Sequence, residues 1–193
     1  MPYGYLPPNP SIPRDETAFG RPLRPDLPTR FEEFQFVRDE LRHTLAAHPW
    51  DRPSLLDAAC GFEPGVHIFP EIAEADGWFV RAVDLKEPWP GFPPSKYILR
   101  TKADITEPYF APESFVAAVC ISALEHMTPE TQLAAVKEIW RVTRPGGRVV
   151  LTIDGADPHK TAANLEPWFD FGDYIHSEDR LPFDVAYFSG VRK

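Results

Sequence analysis

Only two cysteines occur in 193 residues, Cys60 and Cys120. Two thiols make neither a disulfide framework nor a metal-ligand cluster, and free cysteine is most often a small, buried apolar side chain. Basic charge is in deficit: 20 Lys and Arg stand against 29 Asp and Glu, for a net charge of −9. That balance argues against a surface built to grip duplex phosphates, which clusters Lys and Arg. No apolar run approaches the ~20 residues that span a bilayer. The start, Met1-Pro2-Tyr3-Gly4-Tyr5-Leu6-Pro7-Pro8, lacks the basic and apolar regions of a secretory signal. The expected location is cytoplasmic, with no membrane partner. Internal repeats are also absent.

What is present is ordinary in bulk: 43% hydrophobic and 25% charged residues, as in a soluble domain with a full-sized core. The exception is 23 prolines. They concentrate in residues 2–28 and 88–94, where they mark extended or turning segments short of backbone donors. Residues 1–28 are expected to form a proline-rich arm, with Tyr3, Tyr5 and Phe19 favouring docking over free solvation. Residues 29–193 are expected to form a single domain.

Periodicity orders that domain. Phe31, Phe34, Val37, Leu41 and Leu45 recur at spacings of three and four, which predicts a helix from a Thr29 cap to about His48. Residues 54–59 read as a first strand. Ile68, Ile72 and Ala75 predict a helix over about 65–75, and residues 78–83 a second strand ending at Asp84. A proline-rich loop, Glu87 to Pro94, leads to a short third strand around Tyr97 to Arg100. Phe115-Val116-Ala117-Ala118-Val119-Cys120-Ile121 suits a central strand buried on both faces. Thr128-Pro129-Glu130 starts a helix that runs to about Arg141 and buries Leu133, Val136, Ile139 and Trp140. Pro145-Gly146-Gly147 turns the chain into a fifth strand, Arg148 to Ile153. A short helix near Ala162–Tyr174 and a final strand, Asp184 to Val191, complete the expectation. Alternating strands and helices call for an α/β fold with a doubly wound, mostly parallel sheet and a C-terminal antiparallel strand.

In such a sheet ligands bind outside the carboxyl ends of the strands, where strand order reverses. Strand one ends in Asp57-Ala58-Ala59-Cys60-Gly61, small residues past which a backbone can approach a ligand closely. Asp84 follows Gly61 by 23 residues, a spacing that suits a carboxylate on a ribose diol. Spacing alone leaves equal room for a surface Asp that opens a turn. Asp104-Ile105 offers a carboxylate and an aliphatic face after strand three, and strand four ends in Ile121-Ser122-Ala123. A nicotinamide site would want Gly-x-Gly-x-x-Gly, and Gly61-Phe62-Glu63-Pro64-Gly65 does not supply it.

Leu56-Asp57-Ala58-Ala59-Cys60-Gly61 resembles the first motif of class I S-adenosylmethionine-dependent methyltransferases. Val83-Asp84-Leu85 resembles their second, Ala103-Asp104-Ile105 their third, Phe115 to Met127 the fourth strand and following turn of small-molecule members, and Glu138 to Leu151 the Pro-Gly-Gly turn and fifth strand. The resemblance implies S-adenosyl-L-methionine as cofactor and methyl transfer to a small-molecule acceptor by in-line displacement. It implies that the backbone of Ala59, Cys60 and Gly61, after Asp57, approaches the methionine part. Asp84 would bind the ribose hydroxyls with Leu85 against the adenine. Asp104 and Ile105 would hold the adenine edge and face, and Ile121 and Ser122 would line the site beneath the sulfonium. Members that methylate nucleic-acid bases carry Asn or Asp, two prolines and an aromatic after strand four, where this chain has Ser122-Ala123-Leu124-Glu125.

Two departures stand out. Ala59 takes a usual glycine position, and Glu63-Pro64 replaces the second glycine and constrains the turn. His126, in the turn after strand four, is the candidate general base, needed only if the acceptor arrives protonated; its other reading is a histidine hydrogen-bonded at a helix start. A non-catalytic cofactor-binding or partner-regulating relative is the alternative that the altered turn keeps open. The arm and the loop 87–94, with Trp89 and Phe92, are expected either to wall an acceptor pocket or to patch the core under a long loop.

Overall fold

The centre of the molecule is its most apolar strand. In the computed structural model, which describes residues 28–48, 52–62, 68–155, 165, 167–171, 175–176 and 185–193, the strand Phe115–Ile121 is buried at every position. Sheet neighbours flank it on both edges and helices cover it on both faces, which is why it lacks polar alternation. The strands are β1 (Ser54–Ala58), β2 (Phe79–Asp84), β3 (Ile98–Lys102), β4 (Phe115–Ile121), β5 (Thr143–Asp154), β6 (Phe169–Phe171), β7 (Ile175–His176) and β8 (Val185–Arg192). They form one sheet of order β3-β2-β1-β4-β5-β8-β6, with β7 also paired to β8. Strands β1 to β5 run parallel, and β8 runs antiparallel to β5, from Arg148 opposite Val191 to Asp154 opposite Val185. The α/β, mostly parallel fold with an antiparallel C-terminal strand is therefore the observed one.

Among the described residues three α-helices cover the sheet: α1 (Pro28–Ala47), α2 (Phe69–Asp76) and α3 (Pro129–Val142). Helices α1 and α2 pack Phe34, Val37, Leu41, Phe69 and Ile72 onto one face, against Leu55, Val80 and Val119. On the other face α3 packs Ala135, Val136, Ile139 and Val142 against Leu56, Val83 and Val149. Thr128 caps α3, its side chain accepting from the Thr131 N–H, with Pro129 in the first turn. Gly77 closes α2 at φ 109, a left-handed cap that favours glycine. Among the described residues no helix is long and apolar enough to cross a membrane.

Several expectations need correction. Helix α1 begins at Pro28, so Thr29 lies within its first turn and does not cap it. Helix α2 starts only at Phe69, with Pro70 in its first turn, because the proline's fixed φ suits the start of a helix better than its interior. Leu133 is 44% exposed: the buried stripe of α3 runs through 135, 136, 139 and 142, and Leu133 stands on its flank. Trp140, on the same flank, is half-buried beside Trp168 and beneath Arg192. Strand β3 is displaced to Ile98–Lys102. Strand β5 extends back through Pro145-Gly146-Gly147 to Thr143, which pairs with Phe115 before a register shift. Within the helix expected over 162–174, Phe169–Phe171 is instead β6 on β8. The rest of that segment, apart from residues 165, 167 and 168, lies outside the described residues, as do the arm 1–27 and residues 63–67.

Candidate functional site

Strand order reverses between β1 and β4, so the crevice to examine lies at their carboxyl ends. Asp57 ends the apolar run of β1 fully buried. Ala59 then turns through φ 55 and Gly61 through φ 66. Between them the Cys60 N–H donates to the Val83 carbonyl at 3.0 Å, which keeps the turn on β2. The next donor, the Gly61 N–H, reaches Asp84 Oδ2 at 2.9 Å. A Cβ at Gly61 would have no described atom within 4 Å, so backbone conformation, not crowding, is what asks for glycine there.

Asp84 ties three strand ends together. Its carboxylate accepts from Gly61 after β1 and from the Lys86 N–H at 2.9 Å. Its carbonyl accepts from the Ala103 N–H after β3, also at 2.9 Å. The carboxylate is only half-buried, and each oxygen carries a second acceptor position beyond the one N–H it receives. Leu85 follows with 64% of its surface exposed, an apolar side chain standing open beside a carboxylate. Asp104 is exposed and caps its own turn, accepting from the Thr106 N–H at 2.9 Å and its hydroxyl at 2.7 Å. Ile105 is 9% exposed and packs into the core with Ala103. A small crevice between this segment and α3 is lined by Val83, Asp104, Ile105, Tyr109 and Ile139.

At the end of β4, Ile121 is buried, and Ser122 takes φ 43, left-handed for a residue with a side chain. Its N–H donates to the Thr152 carbonyl at 2.9 Å. Its hydroxyl lies 2.5 Å from Glu33 Oε2 and 3.1 Å from Asp154 Oδ1, and the Thr152 hydroxyl donates to the same Glu33 oxygen at 2.5 Å. The Ser122 side chain is thus engaged with α1 and β5. What remains for a ligand at this turn is its backbone. His126 closes a 3-10 turn, Leu124–His126; its side chain is exposed and its N–H donates to the Ala123 carbonyl at 3.2 Å.

Glu33, Thr152 and Asp154 did not figure in the sequence expectations. Glu33 is 1% exposed, and the signal for it was available: positions 33, 37 and 41 share one helical phase, so a carboxylate stands in register with the apolar stripe of α1. Both cysteines are free and buried. Burial pushes the Cys60 thiol well above its ordinary value, and the Asp57 and Asp84 carboxylates push it further. Burial does the same for Cys120, with Glu125 and Asp57 adding to it. Neither thiol is a nucleophile at neutral pH.

The left-handed Ala59 gives a test of the turn. An L-residue there costs roughly 1–2 kcal/mol that glycine avoids, against about 0.5–1 kcal/mol for glycine's extra freedom when unfolded. Ala59→Gly is therefore expected to leave the melting temperature unchanged or raise it by up to about 5 °C. A fall of more than about 3 °C in a thermal melt would contradict the left-handed assignment.

The arrangement fits an S-adenosyl group: a half-buried carboxylate with spare acceptors for a diol, an exposed leucine beside it for a ring face, and turns of small residues. Comparison with known proteins agrees. A family model described as a methyltransferase domain matches residues 56–151. The 1,6-didemethyltoxoflavin-N1-methyltransferase of Burkholderia thailandensis, solved with S-adenosylhomocysteine, superposes with a TM-score of 0.61 at 17% identity, covering 85% of each chain. The N-methyltransferase NodS of Bradyrhizobium japonicum, also with S-adenosylhomocysteine, gives 0.60 at 16% identity over 87% of this chain and 94% of that one. The [4+2]-cyclase SpnF gives 0.62 at 14% identity over 82% of each chain. At such identities the likeness is one of fold. No curated protein matches in sequence. The matched segment holds Asp57, Asp84, Asp104 and the β4 turn, and with this fold the chain belongs to the class I S-adenosylmethionine-dependent methyltransferases.

Proposed function

We propose that the protein transfers a methyl group from S-adenosyl-L-methionine to a small-molecule acceptor by in-line displacement. The observation that carries this reading is Asp84, joined to the β1 turn through Gly61 and to the end of β3 through Ala103. Asp84 accepts the ribose hydroxyls, Leu85 and Ile105 flank the adenine, and Asp104 faces its amine. The backbone from Ala59 to Gly61 meets the methionine part beside Asp57 and Cys60, and Ile121 and Ser122 form the floor at the β4 end. When bound, the cofactor supplies an electrophilic methyl group, so the chain's own work is alignment and, for a protonated acceptor, proton removal. His126 is exposed after β4 and takes that role. The net charge of −9 and Ser122-Ala123-Leu124-Glu125 in place of a base-methylating motif favour a small molecule over nucleic acid.

Incubation with methyl-labelled cofactor and a panel of small amines, phenols, acids and carbon acids tests this. The expected result is acceptor-dependent S-adenosylhomocysteine formation. His126→Ala is expected to slow it about 100-fold while leaving cofactor affinity unchanged. A second reading, cofactor binding without methyl transfer, has one observation in its favour: a [4+2]-cyclase shares the fold, so fold alone does not fix the reaction. Tight binding without turnover across the whole panel would favour that reading.

A further inference from the structure

The connection between β2 and β3 holds no helix, yet residues 85–97 are fastened along their length. Phe62, the residue after Gly61, is 4% exposed. Its ring meets Phe92 edge-on, with centroids 6.4 Å apart at 69°. Phe92 in turn receives Trp89 edge-on at 5.7 Å and 87°. The Arg100 guanidinium lies 4.1 Å from the Phe92 centroid, and Arg100 is ion-paired with Glu71 in the first turn of α2, their side chains 9% and 12% exposed. A second tie runs nearby: the Ser95 hydroxyl donates to Glu74 of α2 and accepts from the N–H groups of Tyr97 and Ile98. One aromatic ring therefore touches both the outgoing end of the β1 turn, through Phe62, and the start of α2, through Arg100 and Glu71.

We propose that this proline-rich connection is the clamp that sets the methionine-binding turn, with Phe92 as its positioning residue. The reason lies in the turn's own sequence. Glu63-Pro64 stands where the resembling family carries a glycine, and Pro64 has no N–H to donate. Besides the Cys60 and Gly61 N–H bonds to β2, the support visible at the turn's outgoing end is the Phe62–Phe92 contact. Edge-to-face rings and a guanidinium over a ring give directional contacts that a lone aliphatic contact would not. Gly91 leaves room for the Trp89 ring: a Cβ there would stand 2.1 Å from it, so a side chain would displace that ring. Prolines on either side stiffen the segment, so Phe92 is presented at little entropic cost.

This inference rests on the S-adenosylmethionine reading, and its test separates the two. Calorimetric titration of the full chain would compare S-adenosylhomocysteine with adenosine, which contacts Asp84, Leu85, Asp104 and Ile105 but not the methionine-binding turn. For Phe92→Ala the expected result is a loss of about tenfold for S-adenosylhomocysteine and less than about twofold for adenosine. Phe92→Tyr, which keeps the ring, is expected to restore the first to near the parent value. Gly91→Ala, at an exposed site, displaces Trp89 and is expected to give the same split if Phe92→Ala fails to fold. Equal losses for both ligands, or no loss for either, would overturn the clamp while leaving the cofactor reading intact. If the parent protein binds neither ligand, the cofactor reading itself fails, and the clamp with it.

Discussion

Asp84→Ala is expected to lower the affinity for S-adenosylhomocysteine about 100-fold. A carboxylate on a diol makes two charge-assisted hydrogen bonds, each contributing about 1.5–3 kcal/mol. Part of that is recovered by water in the variant, and a net loss near 3 kcal/mol corresponds to roughly two decades in Kd. The substitution also releases the Gly61 N–H, so the β1 turn loses one of its two ties to β2, keeping the Cys60 bond to Val83, as the ribose loses its partner. Asp84→Asn keeps one acceptor oxygen but turns the other position into a donor, and a loss of about tenfold is expected. Calorimetry reads both, and an unchanged affinity for Asp84→Ala would remove Asp84 from the ribose.

Glu33→Ala carries the largest expected effect on stability. Two hydroxyls, of Ser122 and Thr152, end on one oxygen of this nearly inaccessible carboxylate. Removing it strips both of their acceptor, and each buried orphan costs about 1–3 kcal/mol. Ser122 can turn to Asp154, 3.1 Å away, so the expected total is about 3 kcal/mol. For a chain of this size that lowers the melting temperature by about 9 °C. Glu33→Gln retains an acceptor oxygen and is expected to lose less than half as much. A melt of Glu33→Ala within about 2 °C of the parent would show that the hydroxyls find other partners. Because Ser122 carries φ 43, loosening its anchor is also expected to disturb the β4 end of the site.

The sequence made the sheet legible wherever the signal was local. Seven consecutive apolar residues in β4, the 23-residue interval from Gly61 to Asp84 and the Thr128-Pro129 start of α3 each declare themselves within a few positions. Strand-end carboxylates could be found because parallel β/α order alone places them at one edge of the sheet. What escaped depends on contacts distant in sequence. Leu133 looks apolar enough for the core, but the sheet leaves its flank of α3 uncovered. Strand β6 has three residues and exists only because β8 offers an edge. Glu33 joins Ser122 and Thr152 across 89 and 119 residues, and no periodicity of α1 alone names those partners. For Trp89 and Phe92 the sequence allowed a pocket wall or core packing; Phe92 packs against the core beside Phe62 and Arg100 with Trp89 on its ring, and those partners are set by how β2 and β3 pair.

We assign the crevice between the ends of β1 and β4 to an S-adenosyl group. Calorimetric titration of the full chain with S-adenosylmethionine and S-adenosylhomocysteine, with NADH as the control ligand, tests that assignment. Both S-adenosyl ligands are expected to bind with one site per chain and a Kd on the order of tens of micromolar or tighter, and NADH not to bind. Heat from NADH alone, or from none of the three, would contradict it.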